Sequence, residues 1–190
     1  MTLTKPQQDR HERMLDVTAR LAAEGGYDAV QMRAVAVEAD VALGTLYRYF
    51  PSKEHLLVSA MLRQIESLSD RLLVRPAAGT DAVGRVVDVL RRANSALQRQ
   101  QQFTVAVVRA LAAGDETVAP VVREVRDLMA GIVLAAIGTD DPTEREQLVT
   151  EILQEVWLSS LVAWISGVEP STSVGRKLEA AATLLLEGQP

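Results

Sequence analysis

The stretch from Val30 to Lys53, VQMRAVAVEADVALGTLYRYFPSK, leaves few choices of fold, because it encodes two short helices joined by a tight reversal. Met32, Val35, Ala36 and Ala39 recur at three- and four-residue spacing, which puts them on one face of a helix over 32–39 and leaves Arg33, Val37 and Glu38 off it. Asp40 supplies the turn, since Asp is among the few non-glycine residues that tolerate a left-handed backbone. Val41 then offers an apolar plug. A second helix over 43–50 buries Leu46 and Phe50 at i and i+4 and spreads Thr45, Tyr47, Arg48 and Tyr49 over its other faces. Pro51 ends it, because proline cannot continue the ladder and restricts Phe50 as well.

This is the grammar of a helix-turn-helix, whose second helix enters the major groove of double-stranded DNA. Gly44 and Thr45 at the helix start let the backbone come close to a duplex and offer it a hydroxyl. Tyr47, Tyr49 and Lys53 are donors suited to phosphate oxygens, and Arg48 reaches phosphate or guanine. The plainer alternative is a pair of core helices with solvated tips.

The residues themselves favour the first reading. The run from Gly44 to Phe50, with Pro51, Ser52 and Lys53, resembles the DNA-binding signature of TetR-family transcriptional regulators nearly residue for residue. Upstream, Gly26, Tyr27, Arg33, Val35, Ala36, Ala39 and Val41 fall where that family places its helix-end glycine, aromatic, arginine and core residues. The resemblance implies DNA contacts by Arg33, Gly44, Thr45, Tyr47, Arg48, Tyr49 and Lys53. Three departures stand out: Val30 and Gln31 replace a pair of capping threonines, Asp40 a turn glycine, and Ala42 a common serine.

A net charge of −5 is unexpected for a DNA binder, so its distribution matters. Residues 1–75 hold 10 Lys/Arg and 10 Asp/Glu, and residues 76–190 hold 10 and 15, so the deficit lies wholly in the second part. The first part is neutral on balance and must concentrate its positive charge on one face, with Lys5, Arg10, Arg33, Arg48 and Lys53 as its expected members. So few cations point to two subunits on one site. The absence of cysteine excludes disulfides and thiolate chemistry and suits a cytoplasmic protein. No apolar run reaches a membrane span and the polar start is no signal peptide, so no membrane partner is expected.

The remaining sequence reads as helix throughout, giving an all-α fold with an N-terminal three-helix domain (residues 1–51), a connecting helix (52–75), and a C-terminal ligand-binding and dimerisation domain (76–190). Residues 1–8 read as a polar arm, and the first helix as 9–24, stopped by Gly25 and Gly26. Ser52 caps the connecting helix. Further helices are expected over 81–99, 103–113, 116–137, 143–167 and 171–186. From Val156 to Ile165 apolar and small residues occupy nearly every face, which suggests burial on both sides, one of them by a second subunit. Leu161 and Trp164, with Leu178 and Leu185 of the last helix, are the expected homodimer interface, an intersubunit four-helix bundle such as the TetR resemblance implies.

Nothing in the chain resembles a phosphate loop, a catalytic triad or a metal set, so an enzyme, a metal and a cofactor are not expected; the acidic clusters at Asp115–Glu116 and Asp140–Asp141 fit helix starts. His11 and His55 read as surface or packing residues. The second part reads as a small-molecule chamber lined by Leu90, Phe103, Val107, Leu111, Val125, Met129 and Trp157, with Asn94, Gln98 or Arg109 as polar anchors; a plain core is the alternative for each. A narrower resemblance covers about half the chain, chiefly Gly25 to Ala60 and Val156 to Ile165, and is to TetR-type repressors of sterol catabolism. It implies a homodimer released from an inverted-repeat operator by a large lipid-like effector such as a sterol-derived acyl-CoA thioester. A different hydrophobic effector, or a DNA binder without one, are the alternatives.

Overall fold

In a computed structural model that describes residues 4–113 and 116–187, nine α-helices and a 3-10 turn account for the regular structure, and no strand occurs among the described residues. The helices are α1 (Lys5–Ala29), α2 (Met32–Glu38), α3 (Leu43–Tyr49), α4 (Lys53–Val74), α5 (Ala82–Arg99), α6 (Gln101–Ala112), α7 (Ala119–Ile137), α8 (Glu144–Ile165) and α9 (Thr172–Glu187), with the 3-10 turn at Glu116–Val118 before α7. Packing divides the chain into two compact units. One comprises Met1–Gln64 and Gln100–Glu124, the other Ile65–Arg99 and Val125–Pro190. The sequence partition at residue 76 follows the chain, whereas the compact units follow the packing of α6 along α1.

The first unit begins earlier than the sequence suggests. Residues 5–8 are helical rather than a loose arm, because Thr4 forms a capping pair with Gln7, its backbone N–H donating to Gln7 Oε1 at 2.8 Å, and Pro6 sits in the first turn where its missing donor costs nothing. The first three residues of that expected arm, and Asp115 of the acidic cluster, lie outside the described residues. Gly25 and Gly26 do break helical geometry, and a short turn follows to Ala29. Gly26 has a reason to be glycine: it is buried at φ +68°, and a Cβ there would crowd Gln102 Oε1 of α6 at 3.1 Å.

The α2–α3 joint closes as a Schellman motif. Asp40 takes φ +53°, its N–H bonds to Val37 O at 3.2 Å, and the Val41 N–H reaches back to Ala36 O at 3.0 Å. Val35, Ala36, Ala39, Leu46 and Phe50 are buried with Met14 and Leu15 of α1 and Leu56, Leu57 and Val58 of α4. Phe50 leaves the helix in extended geometry, as a residue before proline does. Ser52 accepts from His55 N–H at 3.1 Å and so starts α4 as expected.

In the second unit, side chains satisfy helix ends. Arg85 donates to the last carbonyls of α7, Ala136 O at 2.7 Å and Ile137 O at 2.8 Å, and Gln98 donates to Ser171 O at 2.7 Å just ahead of α9. Buried Asp88 accepts from the Ala78 N–H at 2.9 Å and pairs with Arg91 and Arg92, which ties the 75–80 connection to α5. Against the desolvation that opposes it, these bonds hold the Asp88 carboxyl below its ordinary range. Thr143 and Glu146 cap α8 reciprocally. The expectation that no stretch approaches a membrane span meets one exception: α8 is long and apolar enough by length and composition. It has a capped, acidic first turn and packs on α9.

Neither α2 nor α3 has a side-chain cap, since Gln31 and Ala42 occupy their N-cap positions. Ala42 already has the extended geometry of a cap residue (φ −65°, ψ 141°). Ala42→Ser should therefore stabilise the chain by about 0.5–1 kcal/mol, seen as a higher midpoint in urea denaturation at unchanged slope.

Candidate nucleic-acid interface

The helix α3 turns Leu46 inward, fully buried, and leaves Gly44, Tyr47 and Arg48 exposed. A Cβ on Gly44 would meet nothing within 4 Å, so no internal neighbour demands a glycine at this helical position. Glycine there costs roughly 1 kcal/mol of helix propensity. Thr45 and Tyr49 are half-buried on the flanks of α3, and Arg33 is exposed on α2.

Cations of the supporting helices pair with acidic residues of the first unit: Arg20 of α1 with Glu24 and Glu38, and Arg63 of α4 with Asp16. Arg33 and Arg48 have no ion pair among the described residues, and Arg48 lies 5.7 Å from the Tyr49 ring centroid. Of the other expected members of the positive face, Lys5 is exposed while Arg10 is half-buried and donates to Pro6 O.

Lys53 stands at the first turn of α4, half-buried, with Nζ 3.6 Å from the ring centroid of Tyr27. Burial lowers its pKa, opposed by the carboxylates of Asp28 and Glu54. Tyr27 in turn donates its hydroxyl to Glu54, which pushes the phenol up to about 12. Arg109 of α6 lies 4.3 Å from the same ring and pairs with Asp28 at 3.2 Å. The sequence placed Tyr27 at the family's aromatic position and offered Arg109 as one polar anchor for a ligand. Their meeting depends on residues far apart in the chain, and no local pattern signals it.

His11 packs its ring on Phe50 at 5.0 Å and near Tyr49 at 5.8 Å, in agreement with a packing role. Its pKa is lowered by burial and by the charges of Arg63 and His55, against a raising effect from Glu12. The unfolded chain then binds the proton more readily than the folded one below the ordinary value near 6.5. Stability supplied by neutral His11 is complete above that pH and is lost as the pH falls through the window down to the folded pKa. His11→Gln should flatten the decline in denaturant midpoint below about pH 6.5.

The expected chamber residues fall in both units. Phe103, Val107 and Leu111 lie on α6, the first two fully buried; Leu90 and Asn94 lie on α5, Val125 and Met129 on α7, all four buried, and Trp157 is half-buried on α8. Within the second unit a pocket of about 150 Å³ brings Leu90 and Asn94 together with Val87, Arg91, Gly175 and Leu178. That volume is below the ~300–1,000 Å³ of a drug-sized ligand site. Of the three proposed polar anchors, Gln98 holds the start of α9 and Arg109 the Tyr27 cluster. Asn94 alone keeps a buried acceptor, Oδ1, without a partner. Of the expected dimer residues, Leu161 and Leu178 are buried within one chain at 7% and 1% exposure, and Trp164 and Leu185 are half-buried. Apolar surface is presented instead by Leu158 and Val162 of α8, one turn apart, and by Leu184 of α9.

The comparisons with known proteins agree with this geometry. The profile of bacterial regulatory proteins of the tetR family matches residues 14–60, and that of the tetracyclin repressor-like C-terminal domain matches residues 79–185. The chain belongs to the TetR family and is a transcriptional repressor with a DNA-binding helix-turn-helix, not an enzyme. Within that family it stands close to the KstR repressors: it is 44% identical over 180 residues to the HTH-type transcriptional repressor KstR of Rhodococcus jostii strain RHA1, covering 95% of this chain and 84% of that one. A TetR transcriptional regulator from Rhodococcus sp. RHA1 has a crystal structure with a TM-score of 0.89 at 31% identity, covering 98% of this chain and 100% of that chain. The fold is shared also by Thermus thermophilus FadR, solved in complex with lauroyl-CoA, with a TM-score of 0.70 at 20% identity and 95% of each chain covered.

If Tyr47 and Lys53 meet phosphate, Tyr47→Ala and Lys53→Ala should weaken binding to all duplexes alike, and Lys53→Ala should lower the slope of log affinity against log salt by about one. Fluorescence anisotropy over a salt series reads both quantities.

Proposed function

We propose that the chain is a ligand-responsive repressor that binds an inverted-repeat operator as a homodimer and is released by a large lipid-like effector, a sterol-derived acyl-CoA thioester being the leading class. The observation that carries the DNA half is the outward tip of α3, where Gly44, Tyr47 and Arg48 are exposed and Gly44 has no internal reason to lack a side chain. Likeness to KstR over nearly the whole chain supports the same reading, as does the fatty acyl-CoA held by FadR on a shared fold.

The charge count and the family likeness both support two subunits on one site. Few cations serve each head, and paired heads about 34–36 Å apart enter successive major grooves. Leu158, Val162 and Leu184 supply the apolar face for the second copy, with Trp164 and Leu185 beside them. The protein works in the cytoplasm, where the DNA is.

For the effector, the second unit holds buried polar atoms without partners, Asn94 Oδ1, Trp157 Nε1 and Glu169 Oε2, of which the first two lie on α5 and α8. An acceptor and a donor left so each cost on the order of 1–3 kcal/mol, which a ligand with matching groups recovers. Such a ligand acts only through its different affinity for the DNA-competent and incompetent states. A DNA binder without an effector is the reading that remains if no ligand changes DNA affinity.

The test is to incubate the purified protein with sheared DNA of its source organism, sequence what is retained, and challenge the complex with a steroid acyl-CoA, a fatty acyl-CoA and free CoA. An enriched inverted repeat released by the steroid thioester alone is the expected result. Release by the fatty acyl-CoA alone replaces the effector class, and no enrichment at low salt removes the operator. Leu158→Glu should give monomers by sedimentation; an intact dimer counts against the α8–α9 face.

A further inference from the structure

Lysine occurs only at Lys5, Lys53 and Lys177 in a chain whose other cations are all arginine. Lys53 is therefore an unusual choice, and its surroundings are unusual too. Tyr27 at the end of α1 has two cations within reach of its ring, Lys53 Nζ at 3.6 Å and Arg109 Cζ at 4.3 Å. Two carboxylates flank the ring, and both are engaged elsewhere: Glu54 accepts the Tyr27 hydroxyl, and Asp28 pairs with Arg109 at 3.2 Å. Lys53 has no hydrogen bond and no ion pair among the described residues.

A free lysine samples many rotamers, and ordering it on an acceptor costs entropy. A ring face attracts an ammonium without accepting its N–H groups as a carboxylate would, so the donors stay available. We propose that Tyr27 is a positioning residue for DNA binding: its ring holds the Lys53 ammonium in place for a phosphate oxygen, while its hydroxyl and Arg109 keep Glu54 and Asp28 from pairing with that ammonium. The role rests on the DNA-binding reading above. It goes beyond that reading in assigning a function to Tyr27 and Arg109, neither of which lies on the recognition helix.

The scarcity of lysine makes the arrangement directly visible. Reductive ¹³C-methylation of the full-length chain labels only the three lysines and the amino terminus, and Lys53→Arg identifies the Lys53 signal. That signal is expected upfield of the other two through the ring current of Tyr27, to remain upfield in Tyr27→Phe and to return in Tyr27→Leu. A Lys53 signal with no upfield shift in the wild-type chain overturns the proposal without recourse to any variant or any DNA.

The second readout is affinity for a mixed-sequence duplex at low salt. Tyr27→Leu should weaken binding about three- to thirtyfold, the range set by a cation–π contact, and should have no further effect in a Lys53→Ala background. An equal loss in both backgrounds means that Tyr27 acts through the fold alone and overturns the role. If the wild-type chain shows the upfield signal yet binds no duplex, the DNA reading fails, and the positioning role falls with it while the ring contact stands.

Discussion

The approach of α1 to α6 at Gly26 is the joint on which the first unit depends. Gly26 is buried in a left-handed conformation, with the Gln102 side chain where a Cβ would crowd it. The chain turns there without a side chain, and α6 packs along α1 and belongs to the first unit although it follows α5 in sequence. The same turn delivers Tyr27 and Asp28, the next two residues, to Arg109 of α6 and to Lys53 and Glu54 at the start of α4. A backbone constraint thus fixes an electrostatic cluster.

That cluster is one part of how an acidic chain presents a positive tip. Arg20 of α1 occupies Glu24 of its own helix and Glu38 of α2, and Arg63 of α4 occupies Asp16 of α1. Arg33 and Arg48 carry no such duty and remain exposed. Net charge over the whole chain says little about DNA binding when the pairing is so uneven, because phosphate responds to the local field within a Debye length of about 10 Å at 0.1 M salt.

The second unit is organised differently. Its helix ends are held by side chains from other helices, Arg85 on α7 and Gln98 ahead of α9, and its buried Asp88 fixes the connection that precedes α5. Against this well-satisfied background, Asn94 Oδ1 and Trp157 Nε1 stand out as unpaired, and Leu158, Val162 and Leu184 as uncovered apolar surface.

Helix existence and most boundaries were legible in the sequence, since apolar spacing, Gly and Pro breaks and the Asp40 turn are local: the helix expected at 81–99 occupies Ala82–Arg99, and Asp40 takes the left-handed turn. The exposed residues of α3 were legible for the same reason. The helical start at residues 5–8 was not, because a polar segment carries no apolar period and its cap is a pairing of two side chains. Burial of Leu161 and Leu178 was missed because periodicity identifies an apolar face without saying whether its own chain covers it. By itself the sequence determined an all-helical chain with a helix-turn-helix, since both rest on neighbours within a few residues. Only tertiary structure decided that α6 joins the first unit, that Lys53 and Arg109 share one ring, and that Leu158 and Val162 face outward, because these depend on distances between residues that the chain keeps far apart.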